Sequence, residues 1–405
     1  MVEMIPQSNY DQLHHFISHS PWDSFDVMNA VGQKVYTTLC SISHRRCIKP
    51  SLGLILDESG WEKSGNKSVG VSRQYIGQIG KIANGQCGVF AALTNGEQVG
   101  LVQGRLYLPK DWVEDKERCK EAGIPQSDQL YRTKPELGIE ILKTLLDIIS
   151  YDWVGGDSIY GNSLTLRGYL YSQKQPFVLD VSEKLGVYTQ MPNLYIPEKK
   201  KGKGRPVFNY RCDARAVLIK DLVNQIGQDQ WQIITHRQGT KGPLIRKAAV
   251  IDVYIWKPEQ GKDVGSLQLI VSTEMDGSEI KYSLCYDPTS KMPPQVALSR
   301  QMQRYFIERA FQNAKEQLGL HQYQVRSWKA WYHHVALTLM ALHFILEVQQ
   351  ESSEEIPLIS VPDIKLIFAK KLINKLNTDE GIMNALRIRH FKRKKDLDKR
   401  AKVPK

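Results

Sequence analysis

Only six cysteines stand among the 405 residues, and no two are spaced as Cys-x2-Cys. That scarcity excludes a secreted scaffold built on disulfides and fits a reducing compartment, so a cytoplasmic location is expected. Cys40, His44 and Cys47 have ligand-like spacing, but a tetrahedral zinc site wants a fourth ligand nearby and none stands there; they read as helix-end residues. Long apolar runs are also missing. The longest mainly apolar stretch, Val335 to Leu346, is broken by Thr338 and His343 and falls well short of the ~20 residues a bilayer span needs. The opening residues Met1 to Pro6 show no basic region followed by an apolar stretch, so no signal peptide is expected. Neither a GxxxxGK[ST] loop nor a GxSxG turn occurs, which removes the usual marks of nucleotide-driven and serine-nucleophile chemistry.

What is present suits a folded, basic protein. Apolar residues at 41% and aromatics at 9% suffice for a substantial core, and the length suits two or three domains. The net charge is +12, of which the segment from Arg387 to Lys405 supplies +8 through ten Lys/Arg and two Asp. A basic tail of this kind binds a polyanion through counterion release, or simply serves as a solubilising end.

Residues 1–50 read as helical, with one helix over Tyr10 to Ile17 and another starting at Ser20-Pro21-Trp22-Asp23, where Ser20 would cap. Leu52-Gly53-Leu54-Ile55-Leu56 reads as a buried strand ended by Asp57. Runs near Ser68–Ile76 and Cys87–Leu93 complete a three-stranded meander. Lys110 to Ala122 looks helical, and Pro135 to Ile149 has one apolar face carrying Leu137, Ile141, Leu142, Leu145 and Ile148. A short strand then ends at Asp157, and Pro176 to Val181 is the next. Four strand-like runs follow within residues 186–294, a β-rich insertion that also holds the basic loop Lys199, Lys200, Lys201, Lys203 and Arg205. One helix is expected from Val296 to Leu318, and a second, heavily apolar, over Ser327 to Val348. The expected divisions are 1–50, a core of 51–185 with 295–350, the insertion 186–294, and a C-terminal region 351–405.

The candidate chemistry lies in three acids. Asp57 and Asp157 follow buried-looking strands, and Glu308 lies on the helix after the insertion; Asp180 is a rival second acid inside a strand pattern. Carboxylates brought together repel unless a cation binds, and hard oxygen ligands suit Mg²⁺ or Mn²⁺. Arg304 and Lys315 share one side of a helix with Glu308. The three form either an exposed ion-pair ladder or a metal ligand with two phosphate contacts. Tyr160, Trp256 and the pair His333-His334 read as packing residues, with base contact by Trp256 as the alternative.

Arg304-x3-Glu308-x6-Lys315 resembles the Tyr-x2-Arg-x3-Glu-x6-Lys signature of cut-and-paste insertion-sequence transposases of the DDE superfamily, with Gln301 at the Tyr position. Other strings similar to that family are Leu56-Asp57-Glu58-Ser59-Gly60, Ser68-Val69-Gly70-Val71-Ser72-Arg73-Gln74-Tyr75, Gly156-Asp157-Ser158-Ile159-Tyr160-Gly161 and Leu320 to Trp328. The resemblance covers about residues 10 to 348. It implies an RNase H-like α/β fold: a mixed sheet flanked by helices, interrupted by the β-rich insertion, with a helical N-terminal region as a shortened DNA-binding part. By that resemblance Asp57, Asp157 and Glu308 hold two Mg²⁺ ions, with Mn²⁺ able to substitute, and Arg304 and Lys315 contact phosphates. The implied reaction is hydrolysis at element ends followed by strand transfer into target DNA. The implied partner is double-stranded DNA, bound by a homodimer near the bacterial nucleoid. The competing readings are a non-catalytic DNA-binding derivative and a structure-specific nuclease on the same fold.

Overall fold

A computed structural model of the chain describes residues 9–45, 51–197, 208–239, 242–352, 356, 359–373, 383, 387 and 390. Cys47, the side chain of His44, the basic loop Lys199 to Arg205 and nearly all of the basic tail lie outside the described residues. Among the described residues no helix is long and apolar enough to cross a membrane.

One mixed sheet of ten strands organises the chain. Its strands are Gly53–Glu62 (β1), Ser72–Ile76 (β2), Lys81–Thr94 (β3), Val99–Leu106 (β4), Trp153–Gly156 (β5), Phe177–Asp180 (β6), Gln232–Gly239 (β7), Gly242–Ile255 (β8), Gly265–Thr273 (β9) and Lys281–Tyr286 (β10). Their order is β7-β8-β9-β10-β6-β5-β1-β3-β2, and β4 also pairs with β3. Within it, β4-β3-β1 is antiparallel and β1-β5-β6 is parallel, giving the RNase H-like core that the strand order suggested. The main helices are Tyr10–Ser18 (α1), Ser24–Arg45 (α2), Lys134–Leu145 (α3), Leu164–Ser172 (α4), Pro294–Met302 (α5), Tyr305–Glu316 (α6), Trp328–Glu351 (α7) and Val361–Ile373 (α8).

The central strands are apolar because both faces are covered. Leu54, Ile55 and Leu56 are fully buried. On one face Leu56 lies against Gly138 of α3, a helix opened by a capping box in which Thr133 and Glu136 satisfy each other's backbone. On the other face Phe90, opposite Asp57 in the ladder, packs on Phe311 of α6 and Trp331 of α7. The N-terminal helices dock on α7. The buried His333 ring stacks on Trp22, and its two nitrogens meet the carbonyl oxygens of Ile17 and Trp22.

Several expectations change. Asp57 does not end its strand: β1 runs on to Glu62 because its pairing with β3 continues through Glu62↔Gly85, past the point where β5 stops. Strand β4 went unforeseen, since Gly100 and Gly104 interrupt its pattern. Both are glycines for close approach: a Cβ would fall 2.7 Å from Val35 at the first and 2.9 Å from Phe90 at the second. Helix α2 starts at Ser24 and is capped by Asp23, whose carboxylate accepts from the backbone of Phe25 and Asp26, rather than by Ser20. Lys110 to Ala122 divides into two short helices, Lys110–Glu114 and Lys116–Glu121, because the Asp115 side chain caps the second. The single helix expected from Val296 to Leu318 is two, α5 and α6, joined by tighter turns at Gln303 and Arg304, where amides reach back three residues instead of four. The strands of the β-rich insertion do not stand apart; β10 pairs with β6, so β7 to β10 extend the core sheet.

A tight contact fixes the end of β6 under the turn that follows β5. At Gly161 an added Cβ would lie 1.8 Å from the carbonyl oxygen of Asp180. Gly161→Ala is therefore expected to destabilise the protein by roughly 2 kcal/mol or more, the scale of a forced backbone shift. Urea unfolding checks this, and an unchanged midpoint would contradict the contact.

Candidate active site

Strand register places the acids. Leu56 pairs with Gly156 across β1 and β5, and Gly156 pairs with Leu179 across β5 and β6. The next residue on each strand is an aspartate: Asp57, Asp157 and Asp180. Three parallel neighbours thus present three acids in one row, just past their shared ladder. Asp157 leaves β5 as the cap of the short helix Ser158–Gly161, where its Oδ1 accepts from the Ile159 amide at 2.9 Å.

The row does not behave uniformly. Carboxylate oxygens of Asp57, Glu58 and Asp157 lie within 4.8 Å of one another. Glu58 receives Lys134 of α3 at 2.8 Å on Oε1, while its Oε2 is buried with no hydrogen-bond partner among the described residues. Asp180 turns elsewhere: Ser283 donates to its Oδ1 at 2.6 Å, and Arg304 Nε meets its Oδ2 at 3.0 Å. Glu308 is half exposed and meets Arg304 Nη1 at 2.7 Å; the same nitrogen lies 3.7 Å from Asp57 Oδ2. Arg304 thus touches Asp57, Asp180 and Glu308 together, and among the described residues no other positive group does so. Lys315 reaches across to β1, donating to the Gly60 carbonyl and to Gln78 at 3.2 Å each. Beside Arg304 opens a cleft of about 260 Å³ lined by Asp157, Ser158, Asp180, Lys281 and Tyr282.

Burial controls the protonation of these acids. It pushes the Asp57 carboxyl up to about 8, helped by the neighbouring charges of Asp157 and Glu58 and opposed by Arg304. It pushes Asp157 up to about 6, again with Glu58 adding to the effect. Asp180 is raised by burial, against the pull of Arg304 and the Ser283 hydrogen bond. Lys315 is lowered by burial. Such a set is under-neutralised as it stands, and its oxygen donors, small separations and orphaned Glu58 oxygen fit a hard divalent cation.

Of the residues singled out in the sequence, Asp57 and Asp157 come together, and Glu308 joins them through Arg304. The third acid of the close cluster is Glu58, to which the sequence pattern gave no role, rather than Glu308. Tyr160 is fully buried, and Trp256 is buried with its indole N–H on the Gly261 carbonyl, as packing residues. Asp180 carried a readable signal: like Asp57 and Asp157, it directly follows a run of apolar or glycine residues that forms a strand. Gln301 is not exposed at the site but 3% exposed in the core beside it.

Residues 1–243 match the family described as DDE superfamily endonuclease. The chain belongs to that family. The matched region contains Asp57, Asp157 and Asp180 and ends before Glu308. A stretch of 164 residues is 30% identical to a probable transposase for insertion sequence element IS701 from Microchaete diplosiphon, covering 40% of this chain and 38% of that relative. Among solved structures, a piggyBac transposase synaptic complex with hairpin DNA is similar over 82% of this chain and 55% of that chain, at 12% identity and a TM-score of 0.36.

The sign of the pH effect follows from the raised carboxyls. A group whose folded pKa exceeds its unfolded value weakens the fold as pH rises from the unfolded pKa to the folded one. For Asp57 that window runs from about 4 to about 8. Without divalent ions, Asp57→Asn should therefore stabilise the protein at pH 8 by on the order of a few kcal/mol, with the gain vanishing at pH 4. Urea midpoints at the two pH values check this; equal effects at both would contradict a charge forced into a dry site.

Proposed function

We propose that this DDE endonuclease is a transposase: it hydrolyses the phosphodiester backbone at the ends of a mobile DNA element and transfers the freed 3′-hydroxyl ends into target DNA. The observation that supports the reading is the row of acids beyond the parallel ladder, with Glu308 linked to Asp57 through Arg304. The similarity to a probable insertion-sequence transposase supports the substrate class.

Asp57 and Asp157, with Glu58 beside them and Glu308 across Arg304, would hold Mg²⁺ or Mn²⁺, as one ion or a pair. A bound divalent ion supplies Lewis acidity, easing deprotonation of the attacking water or hydroxyl and offsetting charge on the phosphate. The chain's own residues do the rest. Asp57 and Asp157 must lose their protons to act as ligands, so cation affinity rises with pH through the range from about 6 to about 8. Arg304 presents a guanidinium fork at the cleft, a shape that matches phosphate oxygens. Lys315, held on a carbonyl and an amide rather than a carboxylate, is placed to meet the DNA backbone. Lys199, Lys200, Lys201, Lys203 and Arg205 would add backbone contacts. Joining two ends in one event requires two such sites, and hence a dimer on DNA.

The test is a plasmid carrying the DNA that flanks this gene, incubated with protein and Mg²⁺. Nicking at discrete ends is expected, and Asp157→Asn should reduce it by roughly a hundredfold or more, the scale of losing one preorganised charge contact at a reacting centre. Cutting that persists in Asp157→Asn would refute the assignment. Cutting without end preference or joining would make the protein a nuclease of the same fold rather than a transposase.

A further inference from the structure

We infer that Gln301 is a positioning residue for Arg304, acting through Ser283 and Asp180, and that Asp180 serves as the clamp of this arginine rather than as a cation ligand. This deepens the transposase reading and rests on it for its catalytic consequence, although the geometry stands independently.

Five side chains form a directional relay of four contacts. Ser272 donates to Gln301 Oε1 at 2.5 Å. Gln301 Nε2 donates to Ser283 Oγ at 2.8 Å. Ser283 donates to Asp180 Oδ1 at 2.6 Å, and Asp180 Oδ2 holds Arg304 Nε at 3.0 Å. Ser272 and Ser283 are fully buried and Gln301 nearly so, so none of these groups can turn to water instead. A hydroxyl has one proton to give. Because Ser283 gives its proton to the carboxylate, the group on its other side must be a donor. Because Ser272 gives its own, its partner must be an acceptor. The Gln301 amide supplies one of each, and this fixes which way it points. Register supplies the rest: Ser283 lies directly opposite Asp180 in the β10–β6 ladder, and Gln301 on α5 spans β9 and β10.

The relay assigns Asp180 a role distinct from its row-mates. Its two oxygens are taken, one by the hydroxyl and one by the guanidinium. Arg304 is gripped along its Nε edge, which leaves Nη1 toward Asp57 and Glu308. The grip sits at the junction of α5 and α6, where the helix breaks, so a displaced Gln301 would move the segment that carries both Arg304 and Glu308.

A double-mutant cycle in the metal-free, DNA-free protein tests this without relying on activity. Gln301→Met keeps the length and removes both hydrogen-bonding ends; Ser283→Ala breaks the relay at its middle with little change in volume. Each should lower the urea midpoint, and each should lower it clearly less in an Arg304→Ala background. Equal shifts in both backgrounds would mean that Gln301 only packs, and would overturn the inference. If Gln301→Met fails to fold, the Ser283→Ala arm decides the question alone. In the cleavage assay Ser283→Ala should reduce kcat by roughly tenfold to a hundredfold, the scale of a misplaced reacting group, with KM for DNA changed little. A KM effect with unchanged kcat would also overturn it. Wild-type protein that does not cut DNA would defeat the transposase reading while leaving the coupling result standing.

Discussion

Crowding of negative charge past the end of a parallel ladder is the constraint on which this structure turns. The register that pairs Leu56 with Gly156, and Gly156 with Leu179, leaves no choice about where Asp57, Asp157 and Asp180 go. Burial then makes their charges costly, which the raised carboxyls of Asp57 and Asp157 express. Among the described residues the fold answers with Arg304 and with Lys134 on Glu58. That answer is partial, and the remaining deficit is what makes the site receptive to an added divalent ion.

The rest of the architecture serves this placement. Helix α3 covers one face of β1 and brings Lys134 to Glu58, while α6 covers the other and brings Glu308 and Lys315. Gly161 lets the turn after Asp157 rest on the Asp180 carbonyl, so two of the acids share one rigid seat. The strands of the insertion extend the sheet instead of hanging from it, and through β10 they supply the hydroxyl that orients Asp180. Backbone continuity thus joins a segment remote in sequence to the acids it helps to hold.

Much of this was legible in the residues. The aspartate that follows each central apolar run, the amphipathic helix after Pro135, and the Arg304–Glu308–Lys315 spacing all follow from local pattern. What was hidden depends on partners far along the chain. Asp57 looked like a strand terminator because its apolar run stops there, yet pairing with β3 carries the strand five residues further. Helix periodicity runs unbroken across Gln303, but the break is imposed by buried anchors on Gln301 and Arg304 that no local pattern encodes. Glu58 points to the α3 face by strand alternation, and only the early end of β5 opens a route for its carboxylate to approach Asp57 and Asp157.

The most direct measurement is a titration of the protein with Mn²⁺ followed by electron paramagnetic resonance, comparing wild type with Asp157→Asn. Wild-type protein is expected to bind Mn²⁺, and binding should weaken by roughly ten- to a hundredfold or more in the variant, at least the scale on which a metal site feels loss of a supporting group. Equal Mn²⁺ affinity in the two proteins would contradict the claim that this row of acids is built to hold a cation.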